Sequence, residues 1–83
     1  MEINYKAIGE RIRHAREKER LTQEKLSELC SISAAHMGHI ERGSRKPSLE
    51  AMIRISSALH ISMDYLLAES YSPDDTLLSN MPC

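Results

Sequence analysis

The feature that most limits what this chain can become is a series of hydroxyl-bearing residues, Thr22, Ser33, Ser48 and Ser62, each just ahead of a short stretch with helical apolar spacing. At such a position the hydroxyl accepts a bond from a free N–H of the first turn, so each one marks a helix start. The starts follow one another so closely that the helices between them have room for only a few turns. Helices this short do not persist alone in water, so they must hold one another in place.

Reading along the chain fills in the elements. From Asn4 to about Glu19, Tyr5, Ile8, Ile12 and Ala15 fall on one helical face while Arg11, Arg13, Arg16, Lys18 and Arg20 take the others. Thr22 opens a second helix with a stripe of Leu26, Leu29 and Cys30 that ends near Ser31. Ser33 opens a third, with Met37 and Ile40 on one face and Gly43 suited to the left-handed residue that closes a helix. After the loop 44–47, Ser48 opens a fourth, in which Leu49, Met52, Ile53, Ser56 and Leu59 run in a 3-4 pattern as far as His60. Ser62 opens the fifth, which carries Met63, Leu66 and Leu67, with Asp64 in its first turn where a negative charge complements the helix dipole.

This predicts an all-α fold, a five-helix bundle over residues 1–69, followed by a tail, 70–83, that loses periodicity and gains Pro, Ser and Asp. The tail is either a plain solvated end or, through Leu77, Leu78 and Met81, a docking segment for a partner. With 83 residues and neither Phe nor Trp, the core is modest and built from aliphatic side chains. Residues 1–60 hold all 11 Lys and Arg, against eight Glu, while residues 61–83 hold only acids, Asp64, Glu69, Asp74 and Asp75. A near-neutral total therefore hides a basic body, which permits binding to a polyanion. No run is long enough to span a bilayer and the N-terminus lacks the apolar stretch of a signal peptide, so a cytoplasmic protein is expected. Cys30, in a periodic segment, reads as a small buried hydrophobe, and Cys83 as a free tail thiol.

The second and third helices are joined by about three residues around Ser31 and Ile32, and such a connection sets them at a steep angle, as a helix-turn-helix. The major groove, about 12 Å wide, accepts one helix of that diameter. Residues 21–67 resemble the phage-repressor/Cro-like, or Xre-type, helix-turn-helix family at Leu21-Thr22-Gln23, Ile32-Ser33, Ile40-Glu41-Arg42-Gly43, Pro47-Ser48-Leu49 and Asp64-Tyr65-Leu66-Leu67. With the first helix included, the likeness covers roughly residues 6–68. It implies a lambda-repressor-like DNA-binding domain, usually dimeric on double-stranded DNA, with the third helix (33–42) as the reading helix. Gln23 matches a glutamine that holds a phosphate at a helix N-terminus, with Thr22 beside it, and Arg16 and Glu41 match a pair that joins the first and third helices. Arg42, Ser44, Arg45 and Lys46, around Gly43, are placed for phosphate contacts or form an ordinary solvated basic loop. Ser31 stands where the family has glycine, so a residue with a Cβ is expected at positive φ, at a cost of roughly 1 kcal/mol.

By the same resemblance, the positions that face the groove are Ser33, Ala34, Ala35, His36 and His39. None is the Arg, Gln or Asn that makes two bonds to one base, so direct reading is thin and DNA shape should share in specificity. His39 is the expected main base reader, and His36 is divided between base and phosphate. The expected function is a sequence-specific transcriptional regulator, a homodimer on an inverted-repeat operator. Met63, Tyr65, Leu67 and Tyr71 are the interface candidates, although Met63 and Leu67 serve equally well to close the monomer's own core. The competing function is a protein-interaction module of the same fold, such as an antitoxin whose main ligand is a protein. No enzyme, cofactor or metal site is expected: Cys30 points to the core, and two histidines three residues apart supply at most half a ligand set.

Overall fold

The computed structural model describes residues 2–70. Among the described residues there are five α-helices, one 3₁₀ turn and no strand: α1 (Tyr5–Lys18), α2 (Gln23–Cys30), α3 (Ala34–Arg42), α4 (Leu49–Leu59), α5 (Met63–Leu67) and the turn Ala68–Ser70. Each helix begins as its sequence dictates. The side chains of Asn4, Thr22, Ser33, Ser48 and Ser62 accept from the N–H groups of Ala7, Lys25, His36, Ala51 and Tyr65, all at 3.0 Å. Each cap of this kind contributes about 1 kcal/mol.

The first four helices also end alike. A residue in the left-handed region follows each of them: Arg20 (φ 59°), Ser31 (φ 58°), Gly43 (φ 77°) and His60 (φ 57°). The next N–H then reaches back to the last turn, from Leu21 to Arg16, Ile32 to Ser27, Ser44 to His39 and Ile61 to Ser56, each at 3.0 Å. Three of those following residues, Leu21, Ile32 and Ile61, lay an apolar side chain against the core, the contact that commonly accompanies this helix ending. Ser31 takes the strained conformation expected of it, and so do Arg20 and His60, which nothing in the pattern marked.

α1 packs on α3, α4 and α5, and α2 packs on α3 and α4. The core between them is Ile8, Ile12, Ala15, Leu26, Cys30, Met37, Ile40, Met52, Ile55, Leu59 and Leu66. Burial raises the Cys30 thiol above its usual range, so it sits there as a neutral apolar group. Two apolar stripes are phased differently from the periodic reading. Leu29, Leu49 and Ile53 are 53%, 68% and 51% exposed, and Ala51 and Ile55 take the core positions of α4 instead. Apolar residues on two neighbouring ridges of one helix leave the phase open, and packing chooses between them. Ser70 is buried and its hydroxyl accepts from the Asn4 N–H at 2.9 Å, so the end of the described chain is fastened to its beginning. Among the described residues no helix is long and apolar enough to cross a membrane.

The approach of α3 to α1 is set by backbone. A Cβ placed on Gly9 would lie 2.3 Å from the Glu41 carbonyl oxygen and 2.4 Å from that of Ile40; one on Gly43 would lie 2.7 Å from Lys6 Cα. Gly38, in α3, is different: the nearest atom to its Cβ would be Arg42 Nη1 at 3.2 Å, the end of a flexible side chain. Gly9→Ala is therefore expected to destabilise by about 1–3 kcal/mol, the usual cost of overpacking. Gly38→Ala should hold or gain stability, by up to about 1 kcal/mol from helix propensity. Urea unfolding followed by circular dichroism measures both, and a Gly9→Ala protein as stable as its parent would refute the close approach.

Candidate nucleic-acid interface

The site is assembled around one carboxylate. Glu41, near the end of α3, points inward and accepts from Arg16 Nε at 2.7 Å and Arg16 Nη2 at 3.1 Å, a two-pronged pair across to α1. Glu41 is buried and Arg16 largely so, with side-chain exposures of 2% and 12%. Each nitrogen of the guanidinium and each oxygen of the carboxylate has a partner. Arg16 Nη1 donates to the Leu21 carbonyl at 2.8 Å, and Gln23 Nε2, at the start of α2, donates to Glu41 Oε1 at 3.0 Å. The bond to Glu41 raises the Arg16 pKa above its usual range in spite of burial. Such a pair repays its desolvation only with good geometry and satisfied neighbours, and both are present.

Outside this knot lies an open cleft of about 370 Å³ lined by Arg13, Arg16, Glu17, Gln23, Glu41 and Arg42. The N-terminus of α2 opens beside it, with Glu41 already neutralised by Arg16. Arg13 carries a weak surface pair with Glu17 at 3.4 Å, both more than half exposed, so its charge remains available. Arg42 and Gln23 meet over Gly38: Arg42 Nη1 is 3.2 Å and Gln23 Oε1 3.6 Å from where that residue's Cβ would stand. The arrangement offers guanidinium and amide donors and a positive helix end to an anion.

The residues singled out from sequence fall as follows. Ser33 and Ala35 are exposed, Ala34, His36 and His39 half-buried, so together they run along the outer surface of α3 from its cap to its last turn. Thr22 and Ser33 are occupied as caps, and their hydroxyl oxygens already accept from the backbone. Arg42, Ser44, Arg45 and Lys46 are exposed. Ser44 is tied to His39, with Oγ 3.1 Å from Nδ1, and Lys46 Nζ lies 5.8 Å from the centre of the Tyr5 ring. Gln23, assigned from sequence only to phosphate, also bonds Glu41. Tyr65 is exposed, with the Arg11 guanidinium 5.5 Å above its ring. Met63 and Leu67 are half-buried and pack on the core. Tyr71, Leu77, Leu78, Met81 and Cys83 lie outside the described residues.

Two contributors escaped the sequence reading. Arg13 lines the cleft, and its place one turn before Arg16 was a usable signal. Gly9, which seats α3, gave none, because its partner is more than thirty residues away. Among the described residues no cluster of three or more His, Cys, Asp or Glu is arranged to hold a metal ion.

Residues 12–66 match the family described as helix-turn-helix. The sequence is 30% identical over 63 residues to the HTH-type transcriptional regulator ImmR of Bacillus subtilis, covering 76% of this chain and 50% of that protein. Among solved structures it resembles the c2 repressor of Salmonella phage P22 in complex with synthetic operator 9T, at 37% identity and a TM-score of 0.70, covering 72% of this chain and 91% of that one. It also resembles the restriction-modification controller protein C.AhdI from Aeromonas hydrophila, at 32% identity and a TM-score of 0.71, covering 75% of this chain and 94% of that one. The chain spans about half the length of the curated relatives it matches.

Removing one side of the buried pair leaves the other charge without a partner, so Glu41→Leu is expected to destabilise by about 3 kcal/mol or more. Replacing both ends with apolar residues, Arg16→Met with Glu41→Leu, should cost clearly less than the sum of the single changes. Denaturant midpoints of the four proteins give the comparison; strict additivity would mean that the two side chains are not coupled.

Proposed function

The chain belongs to the helix-turn-helix family, and from that premise we propose that it is a sequence-specific, DNA-binding transcriptional regulator that acts as a homodimer on an inverted-repeat operator. The observation that carries the reading is the way α3 is held. Its inner side is fixed by the Arg16–Glu41–Gln23 knot, and its outer side, Ser33, Ala34, Ala35, His36 and His39, makes no tertiary hydrogen bond among the described residues, the contacts of His39 being with its own helix end. In this reading the outer side enters the major groove, where the two alanines allow a close fit and touch thymine methyl groups.

The flanking charges take the backbone. Gln23, Arg42 and the N-terminus of α2 receive one phosphate at the cleft, with Arg13 near it, and Ser44, Arg45 and Lys46 receive the next along the groove. Phosphate contacts set orientation and affinity; sequence is read by the few groups on α3 and by the shape of the duplex. Pairing of two copies puts two reading helices about 34 Å apart, one turn of DNA. Tyr65 is the exposed candidate for that contact, supported by the outer halves of Met63 and Leu67. The names of the similar proteins agree with this reading, since they include a transcriptional regulator, an operator-bound repressor and a restriction-modification controller.

One observation favours a second reading, in which the fold mainly holds a protein. Leu29 and Ile53 are exposed and, with Ala58, line a cleft between α2 and α4 of about 570 Å³.

Selection of bound duplexes from a randomised library, followed by salt titration of the winner, separates the two. The expected result is an enriched inverted repeat with half-sites about ten base pairs apart and an affinity that falls steeply with salt. Arg42→Ala should weaken binding to the operator and to scrambled DNA and lower the salt slope by about one. No enrichment, with only weak binding to any duplex, would reject the regulator and favour the protein-binding role.

A further inference from the structure

His39 lies in the last turn of α3, and its Nδ1 atom has two neighbours, Ser44 Oγ at 3.1 Å and Arg42 Nη2 at 3.4 Å. A neutral imidazole carries its one ring proton on Nδ1 or on Nε2, donating from that nitrogen and accepting at the other. Arg42 decides between them because a guanidinium has donors only. A proton on Nδ1 would face another N–H, whereas a bare Nδ1 accepts from it.

Ser44 permits the same choice. The His39 carbonyl already accepts from the Ser44 N–H at 3.0 Å. That oxygen has a second lone pair, so the hydroxyl, 3.2 Å away, can donate to it while accepting from an Nδ1–H, or turn and donate to a bare Nδ1. Ser44 therefore serves either tautomer, and the contact with Arg42 is what discriminates: it is made only when Nδ1 is bare and the proton is on Nε2. That nitrogen has no hydrogen-bond partner among the described residues. Gly38 adjoins the same arrangement, since its Cβ would stand 3.2 Å from the Arg42 guanidinium.

We propose that Arg42 holds His39 as its Nε2–H tautomer, so that α3 presents one hydrogen-bond donor at this position and selects a base edge that accepts. This rests on the operator-reading role proposed above and specifies what is read. In the major groove, guanine offers O6 and N7 as adjacent acceptors with no donor beside them, while the cytosine edge offers its N4 amino group. Guanine is the base of choice, and an amino edge is rejected because it meets the imidazole donor to donor. Arg42 thus determines sequence preference without touching a base, by fixing the ring that does. A single net hydrogen bond of this kind discriminates by about two- to tenfold.

The test has two arms on the full chain. Long-range proton–nitrogen spectra of ¹⁵N-labelled protein at pH 8, without DNA, distinguish the two tautomers. The expected result is Nε2–H for His39 in the parent and a measurable gain of Nδ1–H in Arg42→Ala. An Nδ1–H signal in the parent, or spectra of the two proteins that agree, overturns the lock. In the second arm, duplex selection is run with the parent and with His39→Ala. One position in each half-site should favour guanine in the parent and lose that preference, by about two- to tenfold, in the variant. An enriched site whose preferences are the same in both proteins overturns the base-reading role. If the parent enriches no site at all, operator reading itself fails and the base-reading proposal falls with it, a result distinct from an enriched site that ignores His39.

Discussion

Everything asked of α3 depends on one buried charged pair. The Glu41 carboxylate receives three bonds, two from Arg16 and one from Gln23, and the remaining arm of Arg16 is taken up by the Leu21 carbonyl. The four residues belong to α1, to the connection after it, to the start of α2 and to α3, so one knot ties three helices. Apolar contacts alone would press α3 against its neighbours without defining its rotation, because the hydrophobic effect has no direction. A guanidinium meeting a carboxylate along two parallel bonds does have direction. It fixes which side of α3 faces inward, and hence which side is left for a ligand.

The close approach of the helices supplies the complementary constraint. Gly9 lets the carbonyls of Ile40 and Glu41 settle against α1, and Gly43 lets the chain turn away directly over Lys6. Orientation therefore comes from charged side chains and distance from the absence of side chains. The small aliphatic core beneath has little to add to either, and its flexible Met37 and Met52 fill the spaces that the helix positions leave.

Much of this was legible from the residues. Thr22, Ser33, Ser48 and Ser62 announced their helices because capping is a local reaction of a hydroxyl with an N–H three residues on. The burial of Leu29, Leu49 and Ile53 was misjudged because periodicity reports that a helix has an apolar side, not which of two adjacent apolar ridges meets the core. Gly9 gave no signal, since what requires it is a carbonyl far along the chain. The Arg16–Glu41 pair came from family resemblance; spacing alone gives no reason to join residues so distant in sequence. His39, Arg42 and Ser44, by contrast, are neighbours by helix geometry, and only the consequence for the ring proton needed the distances.

The repeated way in which the helices end has a bearing on how such a protein can change. Arg20, Ser31 and His60 each hold a side chain in the left-handed region, a conformation that costs an L-residue roughly 1–2 kcal/mol. All three are exposed and lie at joints following α1, α2 and α4, and none is among the residues assigned to the outer side of α3. Strain at these joints amounts to an appreciable share of what a domain this small has in hand. The chain therefore carries adjustable joints, at which stability, and with it survival against unfolding and proteolysis, can be raised or lowered while the surface that meets a ligand stays as it is.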